Sequence, residues 1–382
     1  MSRDPLLLAE CADLKHAVAR FPTLDELRRA PEWPALEARL WRVLTTVRRN
    51  APGAPPGPPR DPARLRLVQW NIEHGNRYEV IETALREHPL LRDPDIVSLN
   101  EVDLGMARAG NRDVAGDLAA ALGLHGVWTA LFLETTAGRD DDPLHAGGRA
   151  NDEGLFGIAL LSRWPIAGVR RVELPSPEQV QFDLERMLGR HVALIAEIER
   201  PGAPFVMVTV HLEVHRTRAY RAAQMRILLE ALAGERRPIV LAGDLNSHTF
   251  DRGRPWDALF GAAVLTLTPA AALKRRLLHP DKGATREPVF DALREAGFAW
   301  EPFVDHTPTL ALRLVRLGET RALFGPLAAP AGRALAWAES RAGLRLDWVA
   351  ARGFRNGSGW TVTEHGGPGL ASDHAPIVSE LW

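Results

Sequence analysis

Apolar side chains in the first fifty residues fall at helical rather than strand spacing. Leu36, Leu40, Val43, Leu44 and Val47 recur once per helical turn and line one face. Asp4 before Pro5 supplies an N-cap with proline at the first helical position, and Thr23 with Glu26 has the spacing of a capping box. Residues 1–50 are expected to form an N-terminal helical extension whose stripe packs on the rest of the chain. The run APGAPPGPPRDP at 51–62 holds six prolines in twelve residues, which excludes helix or central strand and marks an extended linker.

Beyond the linker the pattern alternates. LRLVQW (65–70), DIVSLN (95–100), FGIALLS (156–162), PIVLAGD (238–244), LDWVAA (346–351) and PIVSELW (376–382) read as strands. YEVIETALREH (78–88) and VAGDLAAAL (114–122) read as helices, as does 216–233, with Ala222, Met225, Leu229 and Leu232 on one face. HVALIAEIE (191–199) and PFVMVTVHL (204–212) lie close enough for a hairpin. Hairpins mixed with crossovers predict an α/β architecture of mixed sheets with helices outside, not a purely parallel sheet. Residues 247–340, rich in Ala, Arg and Pro, predict only short helices.

Composition narrows the classes. The 382-residue chain is 46% hydrophobic and 25% charged, ordinary for a globular protein with a substantial core. Its 47 basic residues against 48 acidic ones exclude a uniformly basic coating protein and leave room for a local basic groove. Lys15, Lys274 and Lys282 are the only lysines, a bias that reads as compositional. The single cysteine, Cys11, excludes a disulfide framework and a cysteine-rich zinc module, and is expected to be a small buried hydrophobe. No apolar run reaches a membrane span, and the N-terminal segment lacks the pattern of a secretion or lipoprotein signal, so a soluble, cytoplasmic protein is expected.

Candidate chemistry collects where apolar strands end. VQW runs into Asn71-Ile72-Glu73, and DIVSL into Asn100-Glu101-Val102-Asp103. VMVTV ends in His211, PIVLAG in Asp244-Leu245-Asn246, and Asp347 and Asp373-His374 follow near the end. In an extended chain residues i and i+2 share a face, which would pair Asn71 with Glu73 and Asp244 with Asn246. Any one of these is an ordinary turn, cap or surface residue when met alone. Their recurrence at successive strand exits is what points further. Hard oxygen donors without thiolates suit Mg²⁺ or Mn²⁺, and histidine with carboxylate support adds acid–base capacity. Together they equip a site for hydrolysing a phosphoester.

In chain order, QWNIE (69–73), SLNEVD (98–103), VMVTVHLEVH (206–215), GDLN (243–246), RLDW (345–348) and SDH (372–374) resemble the motifs of the endonuclease/exonuclease/phosphatase superfamily, the deoxyribonuclease I-like fold. The resemblance covers about residues 64–382 and leaves the N-terminal helices outside. It implies a four-layer α/β sandwich, two mixed β-sheets flanked by helices, with residues 63–382 as the catalytic domain. It further implies Mg²⁺, with Mn²⁺ as the alternative. Glu101 would be the principal metal ligand, Asn71 and Glu73 would complete or orient that side, and Asp373 would be a second ligand. Many members carry Asp or another polar residue where this chain has Glu73. By the same resemblance His211 contacts the scissile phosphate, and Asp244 and Asn246 position the attacking water and a phosphate oxygen. His374, held by Asp347, polarises the phosphate or moves a proton.

Arg216, Arg218, Arg221 and Arg226 follow His211 and are either substrate contacts or a solvated helix face. QWNI with HLEVHRTRAYRAAQ (211–224) resembles the deadenylase and nocturnin-like branch, which cleaves RNA or nucleotide phosphates. Similar sequence occurs in bacterial phosphodiesterases, sphingomyelinase-like phospholipases and inositol-phosphate phosphatases. The phosphorylated substrate therefore stays open among nucleic acid, nucleotide, phospholipid headgroup and inositol phosphate. A noncatalytic binding scaffold is the reading from another class, and the filled core positions count against it. His211 and His215 are spaced as a zinc pair, but the preceding segment is strand-like and Glu213 is misplaced for a metalloprotease helix. GGPG (366–369) lacks the lysine of a phosphate-binding loop and is expected to shape the turn into SDH.

Overall fold

A computed structural model of the chain describes residues 4–54, 56–139, 141–247, 267–284, 286–311, 343–365 and 371–382. Strand β2 (Leu65–Asn71) shows how the layers arise. Its alternate residues face opposite ways: Leu65 and Leu67 join the core between and beyond the sheets, while Val68 and Trp70 join a second core under helices. Farther along the first face the side chains turn polar, at Gln69 and Asn71, and all four residues from Val68 to Asn71 are fully buried.

The larger sheet runs β1 (Val47–Asn50), β4 (His125–Glu134), β5 (Leu155–Ser162), β3 (Ile96–Leu104), β2, β15 (Ile377–Leu381) and β14 (Gly357–Thr361). β7 (Met187–Gly189) pairs with the remaining length of β4. The smaller sheet runs β13 (Asp347–Arg352), β10 (Ile239–Asp244), β9 (Phe205–His211), β8 (Val192–Ile198) and β6 (Ile166–Glu173). β11 (Leu310–Ala311) and β12 (Gly343–Leu344) form a separate ribbon. β2 lies parallel to β3 and β9 parallel to β10, whereas the remaining pairs are antiparallel, so both sheets are mixed as expected. On the outer side of the larger sheet lie α4 (Tyr78–Glu87) and α5 (Val114–Leu122). On the smaller one lie α8 (Arg218–Ala231) and a helix at Pro288–Glu295, the latter a short helix of the kind expected for 247–340. Two sheets with helices on both outer faces make the α/β sandwich that the sequence implied.

The N-terminal helices α1 (Pro5–Ala19), α2 (Leu24–Arg29) and α3 (Trp33–Leu44) extend the helical layer over the larger sheet. Asp4 caps α1 by accepting from the amides of Leu6 and Leu7, and Thr23 Oγ1 caps α2 by accepting from Glu26 N at 3.2 Å. Leu36, Leu40, Val43 and Leu44 sink into one core with Val68, Trp70, Trp128 and Leu133. Cys11 is fully buried there, its thiol pushed up to about 12 by desolvation. The helical reading runs too long at its end. α3 stops at Leu44, and Val47–Asn50 is an edge strand in register with Gly126–Thr129. Val47 belongs to the strand because β-branched and arginine-rich Val47-Arg48-Arg49 fits a half-solvated edge better than another helical turn.

Leu40 is 4% exposed in this joint core. Leu40→Ala is expected to destabilise the protein by about 2–5 kcal/mol through lost burial plus the cavity left behind. Urea unfolding followed by far-ultraviolet circular dichroism measures this; an unchanged midpoint would mean that α3 adds nothing to the fold.

Candidate active site

The strand registers bring distant motifs together at one edge of the sandwich. Asn71 pairs with Asn100 across β2 and β3, His211 with Asp244 across β9 and β10, and Asp244 with Asp347 across β10 and β13. The two sheets are tied to each other just beneath. Asn100 Nδ2 donates to the Val210 carbonyl at 3.0 Å, while its Oδ1 accepts from Asp244 N at 2.9 Å and from Gln69 Nε2 at 2.7 Å. One layer deeper, the Ser98 and Thr209 hydroxyls meet at 3.0 Å. Gly243 lets β10 lie this close to β9, since a Cβ there would stand 1.8 Å from the Val210 carbonyl oxygen.

Glu101 reaches the site through a β-bulge. The β3–β5 register shifts between Leu99 and Val102, so Asn100 and Glu101 together oppose a single residue, and Glu101 takes φ of 54°. Glu73 and Asn246 also adopt positive φ, 47° and 48°. Three site residues thus hold left-handed backbone, as Asp93, Asn111 and Arg186 do elsewhere. This also revises the sequence reading of the i, i+2 pairs. β2 ends at Asn71 and β10 at Asp244, so Glu73 and Asn246 are not aimed by strand alternation. Tight turns bring each pair together: Asn71 Oδ1 accepts from Glu73 N at 3.2 Å, and Asp244 Oδ1 from Asn246 N at 2.8 Å.

The site has an acidic side and a histidine side. On the acidic side Asn71 Nδ2 donates to Glu101 Oε1 at 2.9 Å and to Asp244 Oδ2 at 3.2 Å, and Glu73 Oε2 accepts from Asp373 N at 3.1 Å. Desolvation, then the Asp373 carboxylate, pushes Glu101 up to about 8, although 22% of its side chain remains exposed at the mouth. On the histidine side His374 Nδ1 lies 2.7 Å from Asp347 Oδ2. His374 Nε2 and His211 Nε2 lie 3.9 and 3.7 Å from Asp244 Oδ2. Asp244, Asp347 and His374 each offer one atom within 4.8 Å of the others. Burial alone would lower His374. The carboxylates of Asp347, then Asp373 and Asp244, override it and hold this imidazole well above its ordinary value. Burial keeps His211 below its ordinary value despite nearby Asp244, so the two imidazoles are held in opposite protonation states.

Asn71, Glu73, Glu101, His211, Asp244, Asn246, Asp347, Asp373 and His374 therefore meet at one end of the sheets. Arg221 does not meet them. It is fully buried, with Nη1 donating to the Arg216 carbonyl and Nη2 to Glu287 Oε1 at 3.1 Å, so it braces α8 instead of facing a substrate. Arg218 is exposed and donates to the Arg286 carbonyl; Arg216 packs near the Tyr220 ring. His215 joins no metal-sized cluster with His211 among the described residues. GGPG (366–369) lies outside the described residues.

Sequence reasoning assigned no role to Gln69, Asn100 and Ser372, though they stand in the motifs, and did not point to Thr309. Thr309 Oγ1 accepts from the amides of Leu346 and Asp347, and Ser372 Oγ donates to the Asn71 carbonyl while accepting from His374 N. For Gln69 and Asn100 a signal was present: each is an amide within an otherwise apolar strand, where a buried polar group needs partners. Thr309 carried none.

A model of the Endonuclease/Exonuclease/phosphatase family matches residues 68–374. The chain belongs to this family. Its members are typically hydrolases of phosphoester bonds and typically depend on a divalent metal. Among solved structures, the chain is similar to an endonuclease/exonuclease/phosphatase from Beutenbergia cavernae DSM 12333, at 20% identity over 83% of this chain and 71% of that one, TM-score 0.48. It is also similar to the 3′ phosphatase NExo from Neisseria bound to product DNA hairpin, at 17% identity over 83% and 99%, TM-score 0.47. The human Nocturnin catalytic domain is similar at 16% identity over 84% and 93%, TM-score 0.44. No curated protein matches the sequence. No helix among the described residues is long and apolar enough to cross a membrane.

The geometry of His374 predicts its titration. In metal-free protein its imidazole stays protonated above the ordinary histidine range, because the cation is the form that Asp347 favours. Asp347→Asn removes that charge, so the titration midpoint moves down. Imidazole chemical shifts followed against pH measure this, and equal midpoints in the two proteins would refute the pairing.

Proposed function

We propose that this protein is a divalent-metal-dependent phosphoesterase that activates water against a phosphodiester or phosphomonoester at the strand ends. The carrying observation is the division of the site, with buried carboxylates on one side and a carboxylate-held imidazole on the other. The donor types suit such a metal. Glu101, Glu73 and Asp373 offer oxygen without thiolate, and Glu101, raised by desolvation and then by Asp373, is a buried carboxylate whose charge a cation would stabilise. In this reading Glu101 and Asp373 hold Mg²⁺ or Mn²⁺ with Glu73. Asn71, whose amide nitrogen already serves Glu101 and Asp244, orients the set. The bound ion would neutralise charge on the phosphate oxygens and the leaving oxygen.

The remaining residues divide the work by protonation state. Asp244, within reach of both imidazoles, orients the attacking water and accepts its proton, with Asn246 held beside it. His374, kept cationic by Asp347, donates a hydrogen bond to a phosphate oxygen, and neutral His211, on the same side of the site, donates another. Arg216 and Arg218, at the start of α8, are the basic groups proposed to meet the substrate. The class proposed is a phosphorylated molecule with one ester to lose, tested across single-stranded nucleic acid, nucleotides, inositol phosphates and sphingomyelin vesicles. A cytoplasmic setting accords with this class.

Bis-p-nitrophenyl phosphate should be hydrolysed with Mg²⁺ or Mn²⁺ and not in excess chelator, with activity restored on re-adding metal. Glu101→Ala, Asp244→Asn and His374→Ala should each lower turnover by at least ~10²-fold. Lasting inactivity across metals and the whole substrate panel would instead favour the scaffold reading.

A further inference from the structure

A second cluster of ligand-type side chains lies apart from the site just described. His279 ends the helix Ala270–Leu278 (α9), Asp281 follows two residues later, and His306 comes from the segment after Phe303. One atom of each lies within 4.8 Å of the others. The imidazole rings of His279 and His306 are 4.1 Å apart between centroids. Asp281 is 1% exposed. What makes the group unusual is its unmet polarity: His279 Nδ1, Asp281 Oδ1 and His306 Nδ1 are all buried without a hydrogen-bond partner among the described residues. Three clustered side chains from two segments, each with a buried polar atom left unmet, contradict the rule that buried polar groups are paired, unless a further atom joins them.

The chemistry of the three selects that atom. Two imidazoles and one carboxylate are the ligand types of a first-row transition ion, and differ from the all-oxygen set at Glu101. Trp300 Nε1 donates to Asp281 Oδ2 at 3.1 Å, which fixes the carboxylate and leaves Oδ1 as the outstanding atom. The Lys282 ammonium, 3.9 Å away, also lies on the Oδ2 side, and its half-exposed chain can turn to solvent.

We propose that His279, Asp281 and His306 form a Zn²⁺-class site, with water completing the coordination. The ion clamps the end of α9 to the segment that supports Asp347. From that segment Asp305 Oδ1 and the Thr307 carbonyl accept from Arg345 Nη1 at 2.9 and 2.8 Å, and Thr309 Oγ1 accepts from Asp347 N at 3.1 Å. The Leu277 carbonyl, at the other side of the clamp, accepts from Arg345 N at 3.1 Å. The site is independent of the phosphoesterase reading, and either stands without the other.

The test uses the full chain stripped with chelator and titrated with Co²⁺ or Zn²⁺ alone. Wild-type protein should show the intense visible absorption of four-coordinate Co²⁺, unlike the weak bands of an oxygen-ligated octahedral ion, and Zn²⁺ should raise its Tm. His306→Gln should lose the absorption and at least ~10-fold in Zn²⁺ affinity, while Glu101→Ala keeps both. Should His306→Gln fail to fold, Asp281→Asn keeps an oxygen for Trp300 and should show the same loss. Absence of the Co²⁺ absorption in wild-type protein overturns the proposal, as does its disappearance in Glu101→Ala or its persistence in a folded ligand variant.

Discussion

Asn100 fixes the relation between the two sheets, and the site depends on it. A side-chain amide has donors and acceptors at fixed angles, so satisfying Val210, Asp244 and Gln69 together sets the distance and offset of β3 against β9 and β10. An apolar core alone would hold the sheets together and tolerate sliding, because hydrophobic contact has no direction. The polar layer removes that freedom where misplacement matters most. Asn71, paired with Asn100 across β2 and β3, then spans from Glu101 of one sheet to Asp244 of the other.

The same geometry explains why neighbouring carboxylates have unlike roles. Glu101, largely desolvated and then opposed by Asp373, resists ionisation unless a cation shares its space. Asp347 is buried as well, yet His374 at 2.7 Å holds it below its ordinary value, for it already has a counter-charge. Asp244 lies between, raised by burial and by Asp347 and lowered by both imidazoles. A gradient from metal ligand to proton acceptor to positioning carboxylate follows from who stands next to whom.

Much of this was legible because strands and oxygen donors leave strong marks. Alternation and hairpin spacing revealed β2, β3, β5, β8–β10, β13 and β15, and family motifs lie at the ends of several of them. What stayed hidden was tertiary in origin. Nothing local distinguishes Arg221 as a partner of Glu287 from an exposed helix arginine, since the partner is 66 residues away. The bulge at Glu101 depends on pairing with β5, and the turns at Glu73 and Asn246 override the alternation that an isolated strand obeys. β1 escaped notice because its few half-buried residues follow directly from a helix of continuous apolar period. The expectations for 247–340 fall partly outside the described residues, apart from the short helices at Ala270–Leu278 and Pro288–Glu295.

The central claim is that the strand ends assemble a metal-binding acidic side distinct from the Asp347–His374 pair. Anomalous scattering from a crystal loaded with Mn²⁺ tests it most directly. The account predicts a peak coordinated by Glu101 on the Asp373 side, with His374 still bonded to Asp347. A peak held instead by Asp244, Asp347 and His374, or none at the strand ends, would contradict it.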